Sequence, residues 1–151
     1  MSVQDEVGMP RLAEAAIADD VGLLLAKLHA AGSVLNNRAL AQFGLRERSY
    51  SVLRLACSGL EPTQRELADF LELDPSQIVA LVDELEGRGL VSREQGRTDR
   101  RQKIVLATPE GERLHGTAEE AMQECEARQF SALTPAELAT VRSLLRKALW
   151  D

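Results

Sequence analysis

Residues 63–107 read TQRELADFLELDPSQIVALVDELEGRGLVSREQGRTDRRQKIVLA, and the order of signals in this stretch decides the fold. Thr63 stands three residues ahead of Glu66, the spacing at which two side chains cap a helix start reciprocally, and Leu67, Ala68 and Leu71 give the short helix one apolar side. A second start follows the turn at Glu72-Leu73: Asp74 suits the N-cap and Pro75 the first helical position. From there Ile78, Leu81, Val82 and Leu85 repeat at i, i+3, i+4 and i+7, one face of a helix that Gly87 and Gly89 end. Val91 to Arg93 and Lys103 to Ala107 then favour strands, joined by the polar run from Glu94 to Arg101, which is longer than a tight two-residue turn. Two short helices across a tight turn, followed by a hairpin, make a helix-turn-helix with a wing, a unit that mostly reads DNA.

Upstream, residues 18–43 carry Val21, Leu24, Leu25, Leu28, Leu35 and Ala39 at helical spacing, while Leu23, Ala30 and Val34 add a second apolar face. Gly44 supplies a stop, and Arg46 to Cys57 reads as another helix through Val52, Leu53 and Ala56. Downstream, Thr108-Pro109 opens a mostly polar helix to about Ser131, and Thr134-Pro135 with Glu137 opens the last, striped by Leu138, Val141, Leu144, Leu145 and Leu149. Residues 1–17 show no sustained pattern and read as a frayed tail or a short helix. The expected fold class is mainly α with a small β-hairpin wing. A single domain is expected over 1–151, with the winged helix-turn-helix at 44–108 and dimerisation helices at 18–43 and 109–151. Those flanking helices hold more apolar surface than a small reader can cover, so a two-fold homodimer is expected, with an intramolecular bundle as the alternative.

The chain has 151 residues, 44% hydrophobic and 28% charged, the profile of one compact folded unit. No apolar run approaches the roughly 20 residues needed to cross a bilayer, and no basic region followed by an apolar core opens the chain, so a cytoplasmic protein without membrane contact is expected. Cys57 and Cys125 show no CxxC spacing, which argues against a disulfide framework or a thiolate zinc site, and no cofactor is expected. His29 and His115 lie far apart, and the chain has no HExxH, GxSxG, GxGxxG or P-loop, which speaks against an enzyme. A net charge of -6 excludes a protein that coats nucleic acid over its whole surface. Charge is nevertheless uneven: Arg88, Arg93, Arg97, Arg100, Arg101 and Lys103 face only Glu94 and Asp99 within residues 88–103, a local excess of four positive charges. Phosphate attracts such a patch, although a solvated hairpin with ordinary surface charges is the alternative.

The run Leu85-Glu86-Gly87-Arg88-Gly89-Leu90-Val91-Ser92-Arg93, then Asp99-Arg100-Arg101, then Val105-Leu106-Ala107-Thr108-Pro109-Glu110-Gly111 resembles the signature of the MarR (multiple antibiotic resistance regulator) family. Leu45 to Leu53 and Glu66-Leu67-Ala68 add to the likeness, which covers about residues 20–150. The resemblance implies a dimeric bacterial winged-helix transcription factor, commonly a repressor, whose DNA binding is relieved by a small molecule or by oxidation. It also implies that Asp99 orients the wing loop and that Arg101 reaches into the minor groove. The family's peroxide sensors carry their reactive cysteine in the first helix, where this chain has none.

With its apolar stripe inward, the helix after Asp74 presents Ser76, Gln77, Val79, Ala80 and Asp83 to a major groove. Gln77 can make two hydrogen bonds to adenine, Ser76 can bond base or phosphate, and Ala80 offers a methyl contact to thymine. Helix capping is the alternative role for Ser76 and Gln77. Family members often carry arginine where this chain has Ala80 and Glu84, so strong guanine readout is not expected. Arg97 and Arg100 are expected on phosphates, and Arg93 on DNA or as an anchor at the base of the hairpin. The expected partner is a palindromic double-stranded operator. For a small effector, His29, Ser33 and Asn37 recur every four residues on one helix side, as do Arg46 and Tyr50 on the next. An anionic aromatic ligand would suit Arg46, His29 and Tyr50; an ordinary polar seam is the alternative. Two other functions stay open: a winged-helix protein-interaction module, and a redox sensor. Against the second, Cys57 reads as structural and Glu124 and Glu126 should disfavour a Cys125 thiolate.

Overall fold

Leu40, Leu53, Leu67, Ile78 and Leu85 meet, fully buried, at the centre of the computed structural model, which describes residues 9–151. They come from four consecutive helices: α1 (Val21–Leu40), α2 (Glu47–Ala56), α3 (Gln64–Leu71) and α4 (Pro75–Gly87). Strands β1 (Val91–Gln95) and β2 (Lys103–Ala107) follow, then α5 (Pro109–Gln129) and α6 (Pro135–Trp150). The architecture is the mainly helical winged helix-turn-helix that the sequence predicts.

Local chemistry sets the element boundaries. Thr63 Oγ1 accepts from the Glu66 amide at 3.1 Å while Glu66 Oε2 accepts from the Thr63 amide at 2.8 Å, and Thr134 and Glu137 repeat the exchange at the start of α6. Between α3 and α4 the chain turns through Glu72 at φ 54°, and the Leu73 amide closes the turn on the Ala68 carbonyl. The helix predicted over 18–43 is shorter than expected. Asp20 keeps an extended backbone, and at the other end Ala41–Phe43 tighten into a 3-10 turn before Gly44 reverses direction at φ 64°. That left-handed conformation costs glycine nothing and other residues about 1 kcal/mol. Of the predicted tail, residues 1–8 lie outside the described residues, and Arg11–Glu14 and Ala16–Asp19 form two 3-10 turns instead of a helix.

The hairpin pairs Val91 with Ala107 through Gln95 with Lys103, so β1 runs two residues beyond its predicted end. Its loop is pinned by the Gly96 amide on the Gln102 carbonyl. On its other edge β2 donates from the Val105 amide to the Pro62 carbonyl at 2.8 Å, which ties the wing to the start of α3. Thr108 then caps α5 at Gly111 and donates to the Gly89 carbonyl, seating α5 on the end of the reader. Further along, α5 packs on α1 where Gly32 admits the Gln129 side chain, whose Nε2 donates to the Leu28 carbonyl at 2.7 Å. Helix α6 buries no residue. It meets the other elements through Arg142 with Glu126 at 2.6 Å and through Trp150 stacked on Phe70, ring centroids 6.4 Å apart. Leu24, Leu25, Leu28, Leu144, Leu145 and Leu149 remain exposed. Among the described residues, no helix is long and apolar enough to cross a membrane.

Candidate nucleic-acid interface and ligand cavity

Burying Ile78, Val82 and Leu85 turns the other side of α4 outward, and Ser76, Gln77, Val79, Ala80 and Asp83 are exposed there. Gln77 also caps its helix: its Oε1 accepts from the Asp74 amide at 3.1 Å. That occupies only the carbonyl half of the amide, so the NH2 group faces outward without a partner among the described residues.

The six cations of residues 88–103 divide into two groups that a charge count cannot separate. Arg88 donates to the Phe43 carbonyl at 2.8 Å and the Gly44 carbonyl at 2.9 Å, closing the end of the 3-10 turn after α1. Arg93 is only 19% exposed and bonds Gln64 at 2.6 Å, Asp83 at 2.6 Å, Glu86 at 3.0 Å and the Val79 carbonyl. Its guanidinium therefore joins β1 to α3 and α4 with four of its five N–H donors engaged, which fits the anchoring role. Arg97, Arg100, Arg101 and Lys103 are exposed around the wing. Arg97 pairs with Glu61 at 2.8 Å, while the other three form no ion pair among the described residues. Asp99 Oδ1 accepts from the Arg101 backbone amide at 3.0 Å, so it fixes the main chain under Arg101 and leaves the guanidinium available. An exposed helix face beside cations at a hairpin tip is an arrangement able to meet a major groove and the adjacent minor groove together.

The effector candidates separate. Ser33 donates to the Glu47 carboxylate, Asn36 does so at 2.8 Å, and Asn37 Oδ1 accepts from the Glu47 amide at 2.9 Å. The four-residue spacing thus groups Ser33 with Asn37 correctly, but their partner is Glu47, and the cluster fastens α1 to the start of α2. His29 and Arg46 are exposed and line neither the cavity at Tyr50 nor the one at His115. Tyr50 does line one, a space of about 470 Å³ bounded by α1, α2, α5 and α6. Arg54 and Arg142 enter it, paired with Glu119 at 3.3 Å and Glu126 at 2.6 Å, and Arg54 Nη1 lies 3.4 Å from the Tyr50 hydroxyl. Burial raises the Tyr50 pKa, opposed by the Arg54 charge. The two arginines come from helices nearly ninety residues apart, a separation for which sequence spacing carries no signal.

Across the Tyr50–His115 stack, with centroids 6.0 Å apart and rings 18° from parallel, lies a second, more apolar cavity of about 430 Å³. Arg54 borders both spaces. Cys57 lines the second, and its thiol is pushed up to about 11, by burial first and then by Glu112 and Glu119. A thiol so raised is a poor nucleophile near neutral pH. Cys125 is buried with Sγ 3.9 Å from the Leu35 carbonyl. It turns toward α1, whereas Glu124 and Glu126, each about 100° round the helix, are exposed.

The geometry defines a winged helix-turn-helix with a basic wing and a cavity beneath its flanking helices. The family model for the MarR family matches residues 45–103. A MarR-family transcriptional regulator from Rhodococcus sp. RHA1 superposes with a TM-score of 0.85 at 42% identity, covering 90% of this chain and 96% of that one. CouR from Rhodococcus jostii RHA1, bound to p-coumaroyl-CoA, gives 0.81 at 42% identity with the same coverage. A curated relative from Thauera aromatica, whose name links it to transcriptional regulation of the hcr operon, is 32% identical over 69% of this chain, which spans 63% of that relative's length. The chain belongs to the MarR family.

Proposed function

We propose that this chain is a sequence-specific DNA-binding transcription regulator of the cytoplasm, not an enzyme, that represses as a homodimer and is released by an aromatic acid or its coenzyme A thioester. In this reading residues 44–108 read DNA, with α4 in the major groove and the wing in the minor groove, while residues 18–43 and 109–151 dimerise. The observation that carries it is the pairing of an outward α4 face with three wing cations, Arg100, Arg101 and Lys103, that form no ion pair among the described residues. Membership of a family of transcriptional regulators supports the same reading.

Exposed leucines on α1 and α6 supply the apolar surface of the dimer. Replacing both Leu144 and Leu145 by glutamate puts four like charges into one two-fold interface. Sedimentation of the unmodified protein should give a dimer and that of the double variant a monomer; a monomeric parent contradicts the proposal.

The effector class rests on two supports. CouR, 42% identical, is bound to p-coumaroyl-CoA, and the cavity in this chain sets Tyr50 beside Arg54 and Arg142, an aromatic wall with two cations. An anion entering it competes with Glu119 and Glu126 for those guanidiniums, and it must weaken operator affinity by the same factor by which operator weakens its own binding. Titrating p-coumaroyl-CoA into the complex with the protein's own upstream DNA should release the DNA, while coenzyme A alone should not. Equal DNA affinity with and without the thioester would remove the effector from the account.

A further inference from the structure

Of the exposed wing cations, Arg97 alone forms an ion pair among the described residues, and its partner stands in an unusual place. Glu61 has φ 53°, the left-handed backbone region that favours glycine, so its side chain is carried there at a conformational cost. The segment around it is fixed to the wing: the Pro62 carbonyl accepts from the Val105 amide at 2.8 Å, and Thr63 forms a β-bridge with Ile104. The Glu61 side chain is 36% exposed and that of Arg97 78%, which makes the carboxylate the seated partner and the guanidinium the one able to leave. Arg97 opens the wing loop directly after Gly96, whose amide is held by the Gln102 carbonyl at 2.8 Å, so the departure needs only side-chain rotation. An ion pair this exposed contributes little to folding, because water and salt screen it. Duplex DNA, with one negative charge per about 1.7 Å of its axis, competes for the guanidinium on better terms than a single carboxylate.

We infer that Glu61 is an affinity-setting residue: its carboxylate holds Arg97 in the free protein, a DNA phosphate displaces it on binding, and the exchange subtracts from DNA affinity. The inference rests on the DNA-binding reading above and adds a residue outside both α4 and the hairpin. Each exposed pair that has to be broken lowers affinity by about two- to threefold, and two-fold symmetry multiplies two of them into about three- to tenfold.

The test is a double-mutant cycle over Glu61→Gln and Arg97→Gln, read by fluorescence anisotropy on the DNA flanking the protein's own gene and on a scrambled duplex. Glu61→Gln should bind both duplexes about three- to tenfold more tightly than the parent, and by the same factor, since phosphate contacts carry no sequence information. Combined with Arg97→Gln the same change should alter affinity by less than about twofold, because the cation it releases is gone. Thermal melts of the parent and the three variants should coincide. An equal gain from Glu61→Gln with and without Arg97 makes the carboxylate a general repellent of DNA and overturns the exchange. So does unchanged or weaker binding by Glu61→Gln, which means that Arg97 never leaves Glu61 or needs it for positioning. A Glu61→Gln protein that melts well below the parent makes the pair a structural clamp and overturns it as well. In each of these cases the parent still binds its own DNA and the DNA-binding reading stands. Failure of the parent to bind either duplex overturns both.

Discussion

Gly111→Ala is expected to cost about 3 kcal/mol or more of folding stability and to lower the melting temperature by about 6–12 °C. A Cβ at position 111 would lie 2.0 Å from the Leu90 carbonyl oxygen and 2.9 Å from its carbon, both main-chain atoms that no rotamer change can move. The Leu90 carbonyl also accepts from the Thr108 amide at 3.0 Å, so the junction between reader and α5 cannot open without losing that bond and the Thr108 cap. Relief requires α5 to lift off the reader, which pulls on Leu53 beneath it, 3.3 Å from the same added atom. Gly116, one and a half turns further along α5, has nothing within 4 Å of an added Cβ. There alanine should stabilise by about 0.5–1 kcal/mol through helix propensity alone. Thermal melts of the two variants beside the parent check both signs. A Gly111→Ala protein that melts with the parent would mean that α5 does not sit on the Leu90 carbonyl.

What was legible in the sequence was local. The reciprocal caps at Thr63 and Thr134, the apolar stripe of α4 and the β-branched Ile104-Val105 each depend on neighbours within a few residues, and each element formed where those signals stood. What was not legible depends on distant partners. Arg88 counts as surface charge until the chain brings the Phe43 and Gly44 carbonyls, more than forty residues back, against its guanidinium. Arg93 likewise meets Gln64 across 29 positions. Spacing correctly placed Ser33 and Asn37 on one side of α1, but it could not reveal that Glu47 would occupy them. The cavity draws Tyr50 and Arg54 from α2, Glu119 from α5 and Arg142 from α6, and of these only Tyr50 stood out beforehand.

Arg101→Ala is expected to weaken operator binding about a hundredfold without affecting the fold. A charge-assisted contact contributes about 1.5 kcal/mol, and two-fold symmetry loses two of them at once. Since each phosphate charge neutralised adds about 0.9 to the slope of log affinity against log salt, removing one arginine from each protomer should flatten that slope by roughly 2. Arg101 is exposed and holds its loop through its backbone amide on Asp99, which alanine keeps, so stability should change by about 0.5 kcal/mol or less. Gln77→Ala should act differently, relaxing preference at particular bases with the salt slope unchanged, because it deletes the amide proposed to read a base and no charge. The deciding measurement is a fluorescence-anisotropy titration of parent and Arg101→Ala protein against the DNA flanking its own gene and a scrambled duplex, repeated over a range of salt. The account predicts that the parent prefers the native duplex by a thousandfold or more, roughly the lower bound for specific regulators, and that the variant binds it more weakly with the flatter slope. Equal parent affinity for both duplexes, with a salt slope that Arg101→Ala leaves unchanged, would contradict it and leave the winged helix as a surface for protein contact.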